Sequence, residues 1–168
     1  MGKKKKSKKP SQKLEKFFER LEEIVGTSVF SDIKTTFTTR PTTFRVNTLK
    51  ATRQEVVDEI TNSGLKIEQV VWYKDAFILK NGKKRDLTDL EVYKQGKIYI
   101  QSLASMVPPL IMDVKPGEKV LDLTAAPGSK TSQIAALLKR TGELYGNDVN
   151  EIRFARLVHN MEHLGVAE

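Results

Sequence analysis

The chain has 168 residues, 29 Lys and Arg against 21 Asp and Glu, and no cysteine. That length allows one domain of ordinary size or two small ones. The missing cysteine excludes a disulfide scaffold, a thiolate zinc site and a cysteine nucleophile within these residues. No apolar run approaches the ~18 residues of a transmembrane helix, and no apolar stretch follows the lysine-rich start as it would in a secretory signal.

The net charge of +8 is unevenly placed. Residues 1–10 (MGKKKKSKKP) hold six Lys and no acid, which leaves only +2 on the rest. Such a run cannot bury apolar surface, so it predicts a disordered basic tail. Its functional reading is a sequence-independent contact to nucleic-acid phosphates or a targeting tag; its bland reading is a solvated tail.

Residues 11–25 read as an amphipathic helix, with Leu14, Phe17, Phe18, Leu21, Ile24 and Val25 at helical spacing and Gly26 to end it. Residues 43–47 alternate like a strand. Thr52 and Glu55 form a capping box ahead of Val56, Val57 and Ile60, with Gly64 as the stop. Ile67–Val71 is a β-branched run. Ala76–Leu79 predicts a short strand leading into Asn81-Gly82, a hairpin-turn dipeptide. Lys97–Gln101 is another strand, and Leu103–Met112 a helix interrupted or kinked at Pro108-Pro109. Residues 11–112 therefore make a small α+β module.

The pattern changes after Pro116-Gly117. Lys119–Leu123 is a buried-type strand, Thr124–Ser129 a loop of small residues, and Lys130–Lys139 a helix. Glu143–Asn147 reads as the next strand. Asn150–Leu164 is a second helix, with Phe154, Leu157, Val158, Met161 and Leu164 on one stripe. The order βαβα implies parallel strands in a doubly wound α/β sheet. Residues 113–168 supply only two of its strands, so a stable domain is expected to need more polypeptide, from the same gene or from a partner.

The informative segment is Val120–Thr131, VLDLTAAPGSKT. A strand ends in a tight loop that opens into a helix, whose first N–H groups can bind an anionic group. Ala125, Ala126 and Gly128 are small enough to let a ligand approach the backbone. Asp148, 20 residues after Gly128 at the end of the next strand, can accept hydrogen bonds from ribose hydroxyls. Together they suggest an adenosine-type cofactor. The loop is neither G-x-G-x-x-G nor a Walker A sequence, and any βα turn of small residues shares part of the pattern.

DLTAAPGSKT (Asp122–Thr131) and GNDVNEIR (Gly146–Arg153) resemble the cofactor motifs of the Sun family of RNA (cytosine-5) methyltransferases. Arg40–Lys50 (RPTTFRVNTLK) and Ile98–Met112 (IYIQSLASMVPPLIM) are similar to that family's N-terminal module and its lead-in to the catalytic domain. The resemblance covers about residues 36–168. Family members more often have Cys and Gly where this chain has Thr124 and Ser129. Behind the basic tail (1–10), the resemblance implies an RNA-recognition-like module (11–112) and the opening of a truncated Rossmann-like sheet (113–168). It implies S-adenosylmethionine held by Thr124, Ala125, Ala126, Pro127, Gly128, Ser129 and Lys130, with Asp148 on the ribose and Arg153 bordering the site. It also implies a ribosomal or transfer RNA substrate; a cytoplasmic location is expected separately. Arg45 and Asn47 match the family's R-x-N motif, without an assigned contact. The family's chemistry uses a cysteine that attacks carbon 6 of cytosine and a second that helps release the product. Both lie downstream of these motifs, so this cysteine-free chain is expected to be inactive alone. The expectation is therefore the N-terminal portion of such an enzyme, or alternatively a non-catalytic RNA- or cofactor-binding subunit completed by another chain.

His159-Asn160-Met161-Glu162-His163 fits the H-x-x-E-H zinc pattern. At roughly 100° per residue both imidazoles lie opposite the apolar stripe, so they are expected to face solvent and hold no metal. Trp72 and Tyr73 could stack on RNA bases; core or edge packing is the commoner use of such residues.

Overall fold

The computed structural model describes residues 12–37 and 40–166; the lysine-rich tail lies outside them. The described residues up to Arg40 form one compact unit and those from Pro41 another.

The first unit is a helical hairpin, α1 (Gln12–Val25) and α2 (Thr27–Thr35). Gly26 ends α1 and N-caps α2 at φ +80°, a conformation open to glycine. Phe17, Phe18, Phe30 and Phe37 meet edge-on or tilted at 5.2–6.0 Å between ring centroids. Only Phe30 is buried.

The second unit begins with β1 (Thr43–Val46), α3 (Arg53–Asn62), β2 (Ile67–Val70), β3 (Tyr73–Leu79), α4 (Lys84–Thr88), α5 (Glu91–Lys94) and β4 (Ile98–Ile100). The strands form an antiparallel sheet in the order β2-β3-β1-β4. Thr52 and Glu55 close the expected capping box on α3. Phe44, Val46, Val56, Ile60, Phe77, Leu87, Val92 and Ile98 form a core between one sheet face and the helices.

Asn81-Gly82 does not turn a hairpin between strands. The hairpin is β2–β3, turning at Val71-Trp72. Asn81 instead accepts from the Lys66 N–H at 2.6 Å and donates to the Gly64 carbonyl at 3.2 Å, tying the end of β3 to the α3–β2 loop. The chain then enters α4 and α5, which are too short for periodicity to announce them.

Next come α6 (Leu103–Ile111), β5 (Lys119–Asp122), α7 (Ser129–Leu138), β6 (Glu143–Gly146) and α8 (Glu151–His163). Both prolines sit inside α6, which runs through them. Pro109 has no N–H to give the Ser105 carbonyl. The Gln101 side chain supplies that hydrogen bond at 3.0 Å. β5 and β6 are parallel, in register from Lys119↔Glu143 to Asp122↔Gly146.

The second face of the four-stranded sheet explains the R-x-N motif. β1 is buried along its whole length: Phe44 and Val46 face the core, while Arg45 and Asn47 meet α7 and α8. Arg45 donates to Gln101 Oε1 at 2.9 Å and to Ser132 Oγ at 2.5 Å, and its guanidinium lies 5.6 Å from the Tyr99 ring centre. Gln101 reaches Gln133, which reaches the Met106 carbonyl. Desolvation lowers the Arg45 pKa to about 10, and its Nη1 has no protein partner. Asn47 donates to the Gly96 and Leu164 carbonyls, both at 2.8 Å, and Lys50 donates to the His163 carbonyl. These side chains satisfy acceptors that the end of α8 leaves open. Met106, Leu103 and Leu110 of α6 pack on Val70, Tyr73 and Ala76. The sheet face on which an RNA-recognition fold stacks bases is thus covered by α6, α7 and α8.

Candidate cofactor site

The loop between β5 and α7 is fixed from three sides. The Ala125 N–H donates to the Asn147 carbonyl at 2.8 Å, and the Asn147 N–H donates to the Asp122 carbonyl at 2.9 Å. Asp122 closes the base: its carboxylate accepts from Thr131 Oγ1 at 2.8 Å and from the Thr124 N–H at 3.3 Å. The peptide between Ala126 and Pro127 is cis, and the Pro127 carbonyl accepts from Asn160 at 2.7 Å.

Asp148 and Arg153 act on this loop together. One Asp148 oxygen accepts from the Ala126 N–H at 3.2 Å and pairs with Arg153 at 3.1 Å; the other accepts from the Asn150 N–H at 3.2 Å. Arg153 also donates to the Ala126 carbonyl at 2.8 Å. The Asp148 side chain is 2% exposed and that of Arg153 52%. Both Asp148 oxygens are thus engaged within the protein, by the Ala126 and Asn150 N–H groups and by Arg153.

Glycine and alanine are small here for a reason the expectation did not include. A Cβ on Gly128, at φ +103°, would lie 2.5 Å from Met161 Cε and 3.1 Å from Leu157 Cδ1. Ala125 and Ala126 are buried with Leu157, Met161 and Leu164. The small side chains let α8 sit against the loop.

What the loop offers outward is the start of α7. Its ladder begins with the Ser132 N–H on the Gly128 carbonyl, so the N–H groups of residues 129–131 precede it, with no side-chain cap. Thr124, Pro127 and Lys130 are exposed. Lys130 and Asp122 line a hollow of about 160 Å³ with Pro109 and Leu123. Beyond Asp148, Val149 and Ile152 form an exposed apolar lip. The loop, Asp148 and Arg153 thus come together at the C-terminal ends of the two strands. Sequence reasoning missed Asp122 and Thr131; the acid closing a strand beside a loop of small residues was the available signal.

The two histidines do not both face solvent. His163 Nε2 lies 3.2 Å from the Tyr93 carbonyl and the side chain is part-buried, while His159 stacks on it at 6.4 Å. Among the described residues no group of three or more His, Cys, Asp or Glu is placed to hold a metal. Of the α8 stripe, Leu157, Met161 and Leu164 are buried, but Phe154 and Val158 are not. No described helix is long and apolar enough to cross a membrane.

A parallel strand-loop-helix-strand with an acid at the second strand's end is the opening of a Rossmann-like sheet. Comparison with known proteins makes the class specific. Residues 14–103 match the family described as the N-terminal domain of 16S rRNA methyltransferase RsmF, and residues 109–168 match 16S rRNA methyltransferase RsmB/F. The chain belongs to this Sun-type RsmB/F methyltransferase family. It is 36% identical to the 26S rRNA (cytosine-C(5))-methyltransferase nsun-1 of Caenorhabditis elegans over 76% of its own length and 19% of that protein's. It is 38% identical to ribosomal RNA small subunit methyltransferase F of Shewanella amazonensis, over 73% of its own length and 27% of that protein's. The chain thus spans about a fifth to a quarter of these curated relatives. A crystal structure of a methyltransferase homolog from Pyrococcus horikoshii superposes with a TM-score of 0.75 at 33% identity, over 94% of this chain and 54% of that one.

Proposed function

We propose that this chain is the cofactor-loop and RNA-presenting portion of a ribosomal RNA cytosine-C5 methyltransferase that uses S-adenosylmethionine. The observation that carries the reading is the Ala126–Asp148–Arg153 clamp at the strand ends, in a chain whose relatives are rRNA methyltransferases. The residues fit the cofactor. Its carboxylate suits the open N–H groups of α7 and Lys130, its ribose diol suits Asp148, and its adenine suits the apolar lip of Val149 and Ile152. Thr124, Ala125, Ala126, Pro127, Gly128 and Ser129 complete the cradle. When bound, the cofactor supplies the methyl group; these residues position it and keep Asp148 oriented. The six Lys of residues 1–10 add sequence-independent attraction to phosphates. A cytoplasmic location belongs to the same reading.

The absence of cysteine favours one further point: the nucleophile comes from additional polypeptide, in the same protein or in a partner subunit. Isolated, the chain should bind S-adenosylmethionine weakly in calorimetry, because the open edges of β5 and β6 leave part of the pocket unbuilt. The decisive experiment is methyl transfer by a protein of the relatives' length that contains this chain. Label from the cofactor should reach carbon 5 of an rRNA cytosine, and Asp148→Asn should raise the KM for the cofactor. An inert protein of that length would sink the reading.

A further inference from the structure

A basic cleft lies at the far end of α7, one helix length or about 15 Å from the cofactor loop. It is a cleft of about 520 Å³ that brings together Arg53, Lys74, Lys139 and Arg140 from three separate elements. Asp75 is its single acid, and Arg53 holds that carboxylate through two hydrogen bonds at 2.9 and 3.1 Å.

Helix-end electrostatics do not explain this grouping. Lys139 and Arg140 follow the C-terminus of α7, where a cation is favourable. Arg53, however, opens α3, where the helix dipole opposes a cation, and Lys74 lies on a strand. Lys139 and Arg140 also take φ +51° and +62°, where glycine would be the relaxed choice. The fold keeps two side-chain-bearing cations in a turn that does not suit them.

An aromatic platform stands at the rim. Trp72, the chain's only tryptophan, is 51% exposed at the β2–β3 turn. It stacks on Tyr73, a residue of the cleft wall, at 6.4 Å between centroids and 18° between planes. An exposed indole beside clustered cations is the equipment of single-stranded nucleic-acid sites, where bases stack and phosphates are neutralised. The sheet face that such a module would otherwise use is closed by α6, α7 and α8.

We propose that this cleft and Trp72 bind a single-stranded segment of the RNA partner away from the cofactor loop, with Lys74 and Lys139 on phosphates and Trp72 against a base. The inference rests on the reading that the partner is RNA, but its test needs no methyl transfer. The full chain is titrated with a labelled single-stranded oligoribonucleotide of about 12 nucleotides, following probe anisotropy and Trp72 fluorescence together. RNA should quench Trp72 saturably, with the midpoint of the anisotropy change. Trp72→Ala should weaken binding about tenfold. Lys74→Ala/Lys139→Gly should also weaken it and flatten the log–log salt dependence by about 1.4. Lys66→Ala/Lys84→Ala, with the same charge loss outside the cleft, should change binding much less. RNA binding with Trp72 fluorescence unmoved, or equally weakened by both double variants, would overturn the cleft and leave the RNA reading standing. No binding at all would overturn both.

Discussion

The two sheets of the second unit make opposite use of their faces. In the four-stranded sheet, Phe44 and Val46 lie under α3, α4 and α5, and the other face closes on α6, α7 and α8. In the β5–β6 pair, Leu121 and Tyr145 are exposed, and among the described residues each strand pairs only with the other. Two parallel strands are too few to make an independent sheet. Val120 and Leu144 of the pair pack with Ile134 and Leu138 of α7, and α7 and the end of α8 are tied to the antiparallel sheet through Arg45, Asn47 and Lys50. The helices that flank the loop are therefore anchored by side chains 87 to 117 residues earlier, while the loop itself is held by Asp122, Asn147, Asp148 and Arg153.

This contrast can be broken by substitution. Arg45→Ala should have the largest effect, about 4 kcal/mol of unfolding free energy, because it leaves a cavity and strips Gln101 and Ser132 of their donor. Urea denaturation reads it, and a loss under about 1 kcal/mol would mean that the seam is not held there. Gly128→Ala should lose about 2 kcal/mol from the clash with Met161 and the positive φ. Adding Met161→Ala should relieve the clash but not the backbone term, which a double-mutant cycle separates. Asn47→Ala should lose a similar or slightly smaller amount, about 2 kcal/mol, by leaving the Gly96 and Leu164 carbonyls unpaired. Amide exchange should show the end of α8 opening first.

Local interactions should matter less. Thr52→Ala removes an N-cap worth about 1 kcal/mol. The hydrogen bonds from Thr52 hold the Glu55 carboxyl below the usual carboxylate range. Their contribution is therefore present above the unfolded pKa and lost as pH falls through the lower folded value. The thermal difference between the two proteins should accordingly shrink in strong acid. Leu121→Ser should change stability by no more than about 0.5 kcal/mol; a loss as large as that of a core residue would show the half-sheet to be better covered than its exposure indicates.

Much of this was legible in the sequence because it was local. Each strand and helix of the βαβα order, the capping box and the loop of small residues is written in a short contiguous stretch. α2, α4 and α5 escaped because their periodic stretches are short. Asn81-Gly82 misled because its dipeptide is compatible with a hairpin, while the Asn81 side chain found better partners across a loop. The use of Arg45 and Asn47 could not be read: their partners are Ser132 and Leu164, and nothing between them in sequence announces the meeting. The small residues of the loop were legible as small, but whether a ligand or a helix required it depended on where α8 comes to rest.

The prolines of α6 carry a last consequence. A helix with a proline inside normally holds a defect, an acceptor without a donor. Here Gln101 fills it, so positions 101 and 109 share one fate. Replacing Gln101 alone uncovers the defect, whereas replacing Pro109 first makes the glutamine redundant at that bond. Mutations at the two sites should therefore be epistatic, and lineages that lose one are free to drift at the other only where Gln133 no longer needs the same amide.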